Sequence, residues 1–382
     1  MLASLFVIAL ALRVTLGNLK PPTARDRAGH LEWRPIDIFT MYVATLVLAV
    51  ACRFAVQVVP GLDQPLDAMS KMKIVLLFIL FTNILMTGKN TNFLWAALGA
   101  ELVMGFGGLL SDFRGVFIYL FLAAIASRVQ IRGTSIALGL LGFGLLMFLA
   151  LFWSAVKMEY RDFATGGMDS QALSVGLDER LGYLGNRLVA PDAIDWNQAA
   201  YQLLVRLAYT DIFGSVIGVK ESTSEQELMR QWQEAIDHVT RPRFLFPSKP
   251  PLSDTEVYVR LARGDASEQI RLGTSISVGY IAENFVDLGF PGMLGGIFVI
   301  GAMYGLLIRY FMALKVPWAM REGVVIAFAL NVTYNGVEMS LPKLLGAAFM
   351  FFLVFALLAR FAFPVIIKWF RGRSGFPEPQ LS

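Results

Sequence analysis

The sequence predicts an all-α, polytopic integral membrane protein, and three observations carry that expectation. Of its 382 residues 56% are hydrophobic and only 16% are charged, with a mean hydropathy of +0.59, well away from the composition of a soluble domain. Apolar runs of the length that crosses a hydrocarbon core recur along the chain. A single long polar segment, residues 157–275, interrupts them.

About nine runs are candidate transmembrane helices: roughly 1–17, 36–58, 73–88, 93–110, 115–127, 134–156, 289–311, 322–340 and 344–367. The third and fifth are short, which fits helices that tilt little or end at a cavity. The opening MLASLFVIALALRVTLGNLK has no positively charged n-region, so it reads as a membrane helix and not as a signal peptide. With no basic residue ahead of it, we expect further helices upstream.

Orientation follows from the basic residues of the short loops. If residues 18–35 are cytoplasmic, the loops on that side and the tail hold thirteen Lys and Arg, against Lys71, Lys73, Arg114 and Lys343 opposite. The long polar segment then lies outside. It carries 13 Lys and Arg against 17 Asp and Glu, a net charge of −4, while the rest of the chain is +8. An acidic soluble part argues against nucleic acid as a partner. The expected organisation is six helices over 1–156, a large helical extracytoplasmic loop over 157–275, a re-entrant or half helix plus three helices over 276–370, and a cytoplasmic tail over 371–382.

The long segment has helical order of its own. Leu173, Leu177, Leu181, Leu184 and Leu188 follow three- and four-residue spacing. Leu228, Trp232, Ala235 and Val239 share a face behind Ser224 and Glu227 at capping-box spacing. Both stripes are packing surfaces. Metal chemistry has little to work with: Cys52 is the only cysteine and His30 and His238 the only histidines. Neither histidine lies in a span and no GxGD occurs, which excludes the usual intramembrane proteases.

Four stretches could carry chemistry. SDFRG, residues 111–115, places Asp112 and Arg114 at an outer mouth, as a local pair closing a turn or as substrate contacts. In WSAVKMEYR, residues 153–161, Lys157, Tyr160 and Arg161 fall at i, i+3 and i+4, so one face offers two cations and a phenol. That face suits a phosphate or pyrophosphate, or else a snorkelling interfacial belt. RPRFLFPSKPP, residues 241–251, interleaves Arg241, Arg243 and Lys249 with four prolines. It reads as a rigid anion-binding loop or as a structural strap.

The fourth stretch, TSISVGYIAENFVDLGFPG at 274–292, continues into the seventh run to give 38 largely apolar positions, too many for one crossing. A half-helix therefore precedes the span. Tyr280, Glu283, Asn284 and Asp287 share one of its faces, which must look into protein or a cavity and away from lipid. Glu283 and Asp287 are the candidate catalytic bases, with hydrogen bonds capping a broken helix as the plainer alternative. Gly292, Gly296, Gly301 and Gly305 form two GxxxG spacings for close helix packing. Glu101 and Glu338 are further acids within predicted spans.

The order of these features resembles the Wzy-type O-antigen and exopolysaccharide repeat unit polymerases. SDFRG, the VKMEYR exit, a large outer loop ending near RPRFLFPSKP and GTSISVGYIAENFVDLGFPG entering a span carry the resemblance, over about residues 90–340. It implies a GT-C-like glycosyltransferase of the bacterial inner membrane with its large loop in the periplasm. Such an enzyme polymerises oligosaccharide repeat units carried on undecaprenyl pyrophosphate, for surface polysaccharide biosynthesis. It implies no cofactor, a lipid-linked oligosaccharide as substrate, and a chain-length regulator protein as an expected partner. By the same resemblance Arg114, Lys157, Tyr160, Arg161, Arg241, Arg243 and Lys249 would bind pyrophosphate or glycan, and Tyr280, Glu283 and Asn284 would line the acceptor site. An O-antigen ligase-type transferase and a lipid-linked glycan flippase are the competing readings; the chain shows no internal repeat of the kind transporters carry.

Overall fold

The computed structural model describes residues 1–59, 61–106, 114–128, 133–166, 174–190, 194–207, 209–222, 230–241, 246, 248–249, 253–265, 267, 275–333 and 338–374. Among them the chain is helical, with no strand. Five helices are long and apolar enough to cross a membrane, Pro35–Val56, Asp63–Thr87, Gly139–Thr165, Gly279–Met312 and Leu341–Arg373, and Leu2–Leu16 and Gly115–Ala126 are shorter apolar ones. This is the architecture of a helical membrane protein.

We number the helices in chain order. The N-terminal half comprises α1 (Leu2–Leu16), α2 (Ala24–Ala28), α3 (Pro35–Val58), α4 (Asp63–Ser70), α5 (Met72–Thr87), α6 (Thr91–Phe106), α7 (Arg114–Ala126) and α8 (Gly133–Thr165). The polar segment forms α9 (Leu177–Val189), α10 (Trp196–Leu207), α11 (Tyr209–Ser222), α12 (Gln231–Thr240) and α13 (Asp254–Ala262). The chain then returns through α14 (Gly279–Met312), α15 (Trp318–Thr333) and α16 (Leu341–Ser374).

The core lies where α5 is wrapped by α3, α7 and α15. From Val75 to Phe81 every α5 residue is fully buried. A helix apolar all round belongs inside a bundle. Beside it Phe311, Phe328, Phe351 and Phe355 interlock, with the Phe351 and Phe355 rings stacked at 4.1 Å. Between lipid-facing helices the hydrophobic effect gives little net attraction, so such close contacts carry the association.

The bundle has two distinct ends. At the basic end the Arg373 guanidinium meets Asp37 at 3.2 Å and Trp33 stacks on Phe370 at 4.6 Å. There Asn83 donates its amide N–H to the carbonyls of His30 and Trp33, at 3.0 and 3.3 Å. At the opposite end, which we call the domain end, α12 of the polar segment sits against α14 and α16 and α11 against α14, while α9 and α10 pack on α8.

Two devices shape α14. Its regular geometry breaks at Gly289 and Phe290, where Gly289 adopts φ 61° and ψ −177°, a conformation open to glycine. Beyond the break Gly301 and Gly305 face α1, so closely that a Cβ at Gly301 would lie 2.9 Å from Ala11 Cβ and one at Gly305 would strike Thr15. The spacing of small residues is therefore the seat of a helix packed in parallel, with Arg309 Nη1 donating to the Thr15 carbonyl. Of the run expected to extend to residue 340, α15 is described to Thr333, residues 334–337 lie outside the described residues, and Glu338 lies exposed between α15 and α16.

Candidate functional site

The part of α14 before its break, residues 279–288, is a half-helix tucked under the polar segment. Tyr280, Glu283, Asn284 and Asp287 are all buried on it. Polar groups at such a place need partners, and these come from two distant places, the start of α12 and the residues that open α16.

Asp287 accepts three backbone N–H groups: Arg230 and Gln231 on Oδ1 at 3.1 and 3.0 Å, and Trp232 on Oδ2 at 2.8 Å. These are the free donors at the start of α12, so the carboxylate serves as that helix's cap from 55 residues away. Asn284 accepts from the Trp232 indole N–H at 3.0 Å and donates to the Tyr280 carbonyl at 2.7 Å. The half-helix folds back so far that Asn284 Oδ1 occupies the space a side chain at Gly296 would need.

Glu283 Oε2 accepts the backbone N–H of Leu341 at 2.5 Å, capping α16 as Asp287 caps α12. Tyr280 donates its backbone N–H to the Met339 carbonyl at 2.8 Å. Next to this contact the buried Asp254 of α13 accepts from Ser340 Oγ at 2.8 Å and pairs with Lys343 Nζ at 2.7 Å. Two carboxylates from different helices thus hold adjacent residues, Ser340 and Leu341.

On the other flank, Lys220 closes the half-helix by donating to the carbonyls of Phe285 and Val286, each at 2.8 Å. The Tyr209 hydroxyl donates to the Val278 carbonyl at 2.6 Å. Burial pushes this phenol well above its ordinary value, and the Glu283 carboxylate acts in the same direction.

The remaining candidates lie around this centre at different distances. Lys249 donates to the carbonyls of His238 and Arg241, at 2.6 and 3.0 Å, and so caps the far end of α12. Arg241 is exposed and 3.8 Å from Asp237. With α12 ten residues long, its two capped ends are about 15 Å apart at about 1.5 Å per residue. Asp287 and Lys249 are therefore joined through one helix and do not touch.

Tyr160 is fully buried, packed on Trp153 and Tyr183 at 5.3 and 6.2 Å between α8 and α9, with Arg180 reaching its hydroxyl. Lys157 and Arg161 are half-buried beside it. Their core is separate from the one that holds α14. Arg114 opens α7, and its side chain lies outside the described residues, as do Asp112 and Arg243.

Several polar groups were not singled out from the sequence. Lys73 is not a loop cation: in the first turn of α5, it reaches Glu101 at 2.6 Å, while Tyr42 donates to the same carboxylate at 3.0 Å. The lone intramembrane acid was the available signal. Asp254 and Lys220 offered none, because nothing local marks them off from solvated charges. Comparison with known proteins gives no match to a family model, a curated protein or a solved structure.

Proposed function

We propose that this chain is a membrane-embedded glycosyltransferase that polymerises oligosaccharide repeat units carried on undecaprenyl pyrophosphate. In this reading the bundle crosses a bacterial inner membrane about nine times in a GT-C-like arrangement, with the polar segment in the periplasm. The supporting observation is the half-helix, which buries Tyr280, Glu283 and Asn284 directly beneath the polar segment at the domain end.

The chemistry asks for a base and a cation cluster. An acceptor sugar hydroxyl attacks the anomeric carbon of the donor glycan, the bond from that carbon to the pyrophosphate oxygen breaks, and the hydroxyl proton moves to a carboxylate. Glu283 is the base: Oε2 is held by Leu341, which fixes the rotamer and leaves Oε1 for the proton. Asp287 positions α12 beside it, both of its oxygens accepting backbone N–H groups of that helix's start. The departing pyrophosphate needs neutralising, the role of Arg241, Arg243 and Lys249 in the proline-rich strap and of Arg114, Lys157 and Arg161 at the helix mouths.

A reconstituted assay with lipid-linked repeat units tests this. Glu283→Gln and Arg243→Ala should each abolish chain extension while the protein stays folded in the membrane. Extension at the wild-type rate by either variant removes that residue's role. Transport of the substrate across the bilayer with no new glycosidic bond rejects the polymerase.

A further inference from the structure

The break in α14 opens a cleft of about 180 Å³ that the proposed chemistry does not use. Phe285, Phe290, Met293, Phe213, Ile217 and Ser4 wall it. The walls come from three elements: the first turn of α1, one face of α11, and α14 on both sides of its break. At roughly 30 Å³ per methylene- or water-sized group the space holds about six of them. Phe290 and Leu288 at the break are exposed, as are Leu2, Leu5 and Phe6 of α1, so the surroundings are the apolar exterior of a membrane protein.

One polar side chain, Ser4, lies in this lining, and another, Lys220, lies next to it on α11. The Ser4 hydroxyl is fully buried and has no hydrogen-bond partner among the described residues. A buried hydroxyl without a partner is costly. Lys220 lies three residues beyond Ile217 on the same α11 face, with Nζ 5.0 Å from the Phe285 ring and 3.6 Å from where a Cβ on Gly289 would stand. It spends two N–H groups on the carbonyls of Phe285 and Val286, and an ammonium has three.

We propose that this cleft binds one acyl chain of an anionic glycerophospholipid. The carboxyl end of the chain fills the space between α1, α11 and the break, its ester carbonyl accepts the Ser4 proton, and the phosphate takes the third N–H of Lys220. A cleft open to the bilayer and lined with apolar side chains fills with hydrocarbon. The orphan hydroxyl selects an ester lipid over a polyprenyl phosphate, which has no carbonyl, and the lysine selects an anionic head group. The site does not rest on the polymerase reading, since a lipid can occupy it in a protein of any activity.

Native mass spectrometry of the intact chain in detergent, with phosphatidylglycerol and phosphatidylcholine at equal concentration, tests the proposal. We expect one retained phosphatidylglycerol, favoured about fivefold, the effect of one cation on an anionic lipid. Lys220→Met should remove the preference. Because Lys220 also closes the half-helix, Ile217→Trp is the second variant: it fills the cleft, leaves the lysine in place, and should lose the adduct. Equal retention of the two lipids, an adduct that survives Ile217→Trp, or displacement by an equal amount of undecaprenyl phosphate would overturn it.

Discussion

The two halves of α14 solve one problem in opposite ways. Before the break, the half-helix is polar on one face and is buried by hydrogen bonds: Asp287 to the start of α12, Glu283 to the start of α16 and Asn284 to Trp232. After the break, the helix is apolar and is buried by absence, with Gly301 and Gly305 letting α1 approach. The first half ties the polar segment to the bundle and the second ties the bundle to itself. Small residues give contact with no directional demand, whereas each buried carboxylate fixes the position of a distant backbone.

This contrast can be broken from the polar side first. Asp287→Ala leaves three backbone N–H groups at the head of α12 unpaired, a loss of about 3–5 kcal/mol at roughly 1 kcal/mol or more for each. The damage should be local. Limited proteolysis is expected to cut between α11 and α13 in the variant, while α1 remains packed on α14, as an Ala11→Cys and Gly301→Cys cross-link would report. Loss of that cross-link together with the outer cleavage would mean that the two halves are not independent.

The basic end extends the comparison to a buried polar group that has no helix to cap. His30 is fully buried, with its ring 5.9 Å from that of Trp318, and burial pushes its imidazole down to about 4 from 6.5, against a smaller opposing effect of the Arg27 backbone. A histidine whose folded value is depressed contributes stability fully above the unfolded value of 6.5. The contribution is lost as pH falls through the interval to about 4, and amounts to about 3 kcal/mol at roughly 1.4 kcal/mol per unit. The thermal unfolding temperature should therefore fall from pH 6.5 towards pH 4, and His30→Phe should flatten that part of the profile. An unchanged slope in the variant assigns the acid sensitivity to other groups.

The smallest effect belongs to the apolar half. Gly305→Val forces a branched side chain onto Thr15, an overpacking cost of about 1–3 kcal/mol. The same cysteine cross-link should weaken while α12 stays protected from protease. Greater exposure of α12 than of α1 would show that the break transmits strain.

Much of the fold was legible because membrane burial writes itself locally. Twenty apolar residues need no partner to announce a span, and GxxxG announces close packing because only small side chains permit it. Tyr280, Glu283, Asn284 and Asp287 were legible as one buried face for a similar reason: lipid excludes them, so protein must cover them. The partners were not legible. Trp232, Leu341 and Ser340 carry no mark that says which carboxylate they will meet. The pairing of Lys73 with Glu101 escaped because a lysine at the mouth of a span looks the same whether it snorkels outward or turns in.

By itself, then, the sequence determined that the chain is helical, that it is built for a membrane, and which face of the half-helix must be hidden. Those properties depend on periodicity and on the cost of exposing a group to the wrong solvent, both of which are sums over neighbouring residues. Only the tertiary structure decided that Asp287 would cap α12, that Glu283 and Asp254 would hold Leu341 and Ser340, and that Lys249 would lie one helix away from them. A hydrogen bond acts over about 3 Å and depends on where the backbone has been brought, so its partner exists only once the chain has folded.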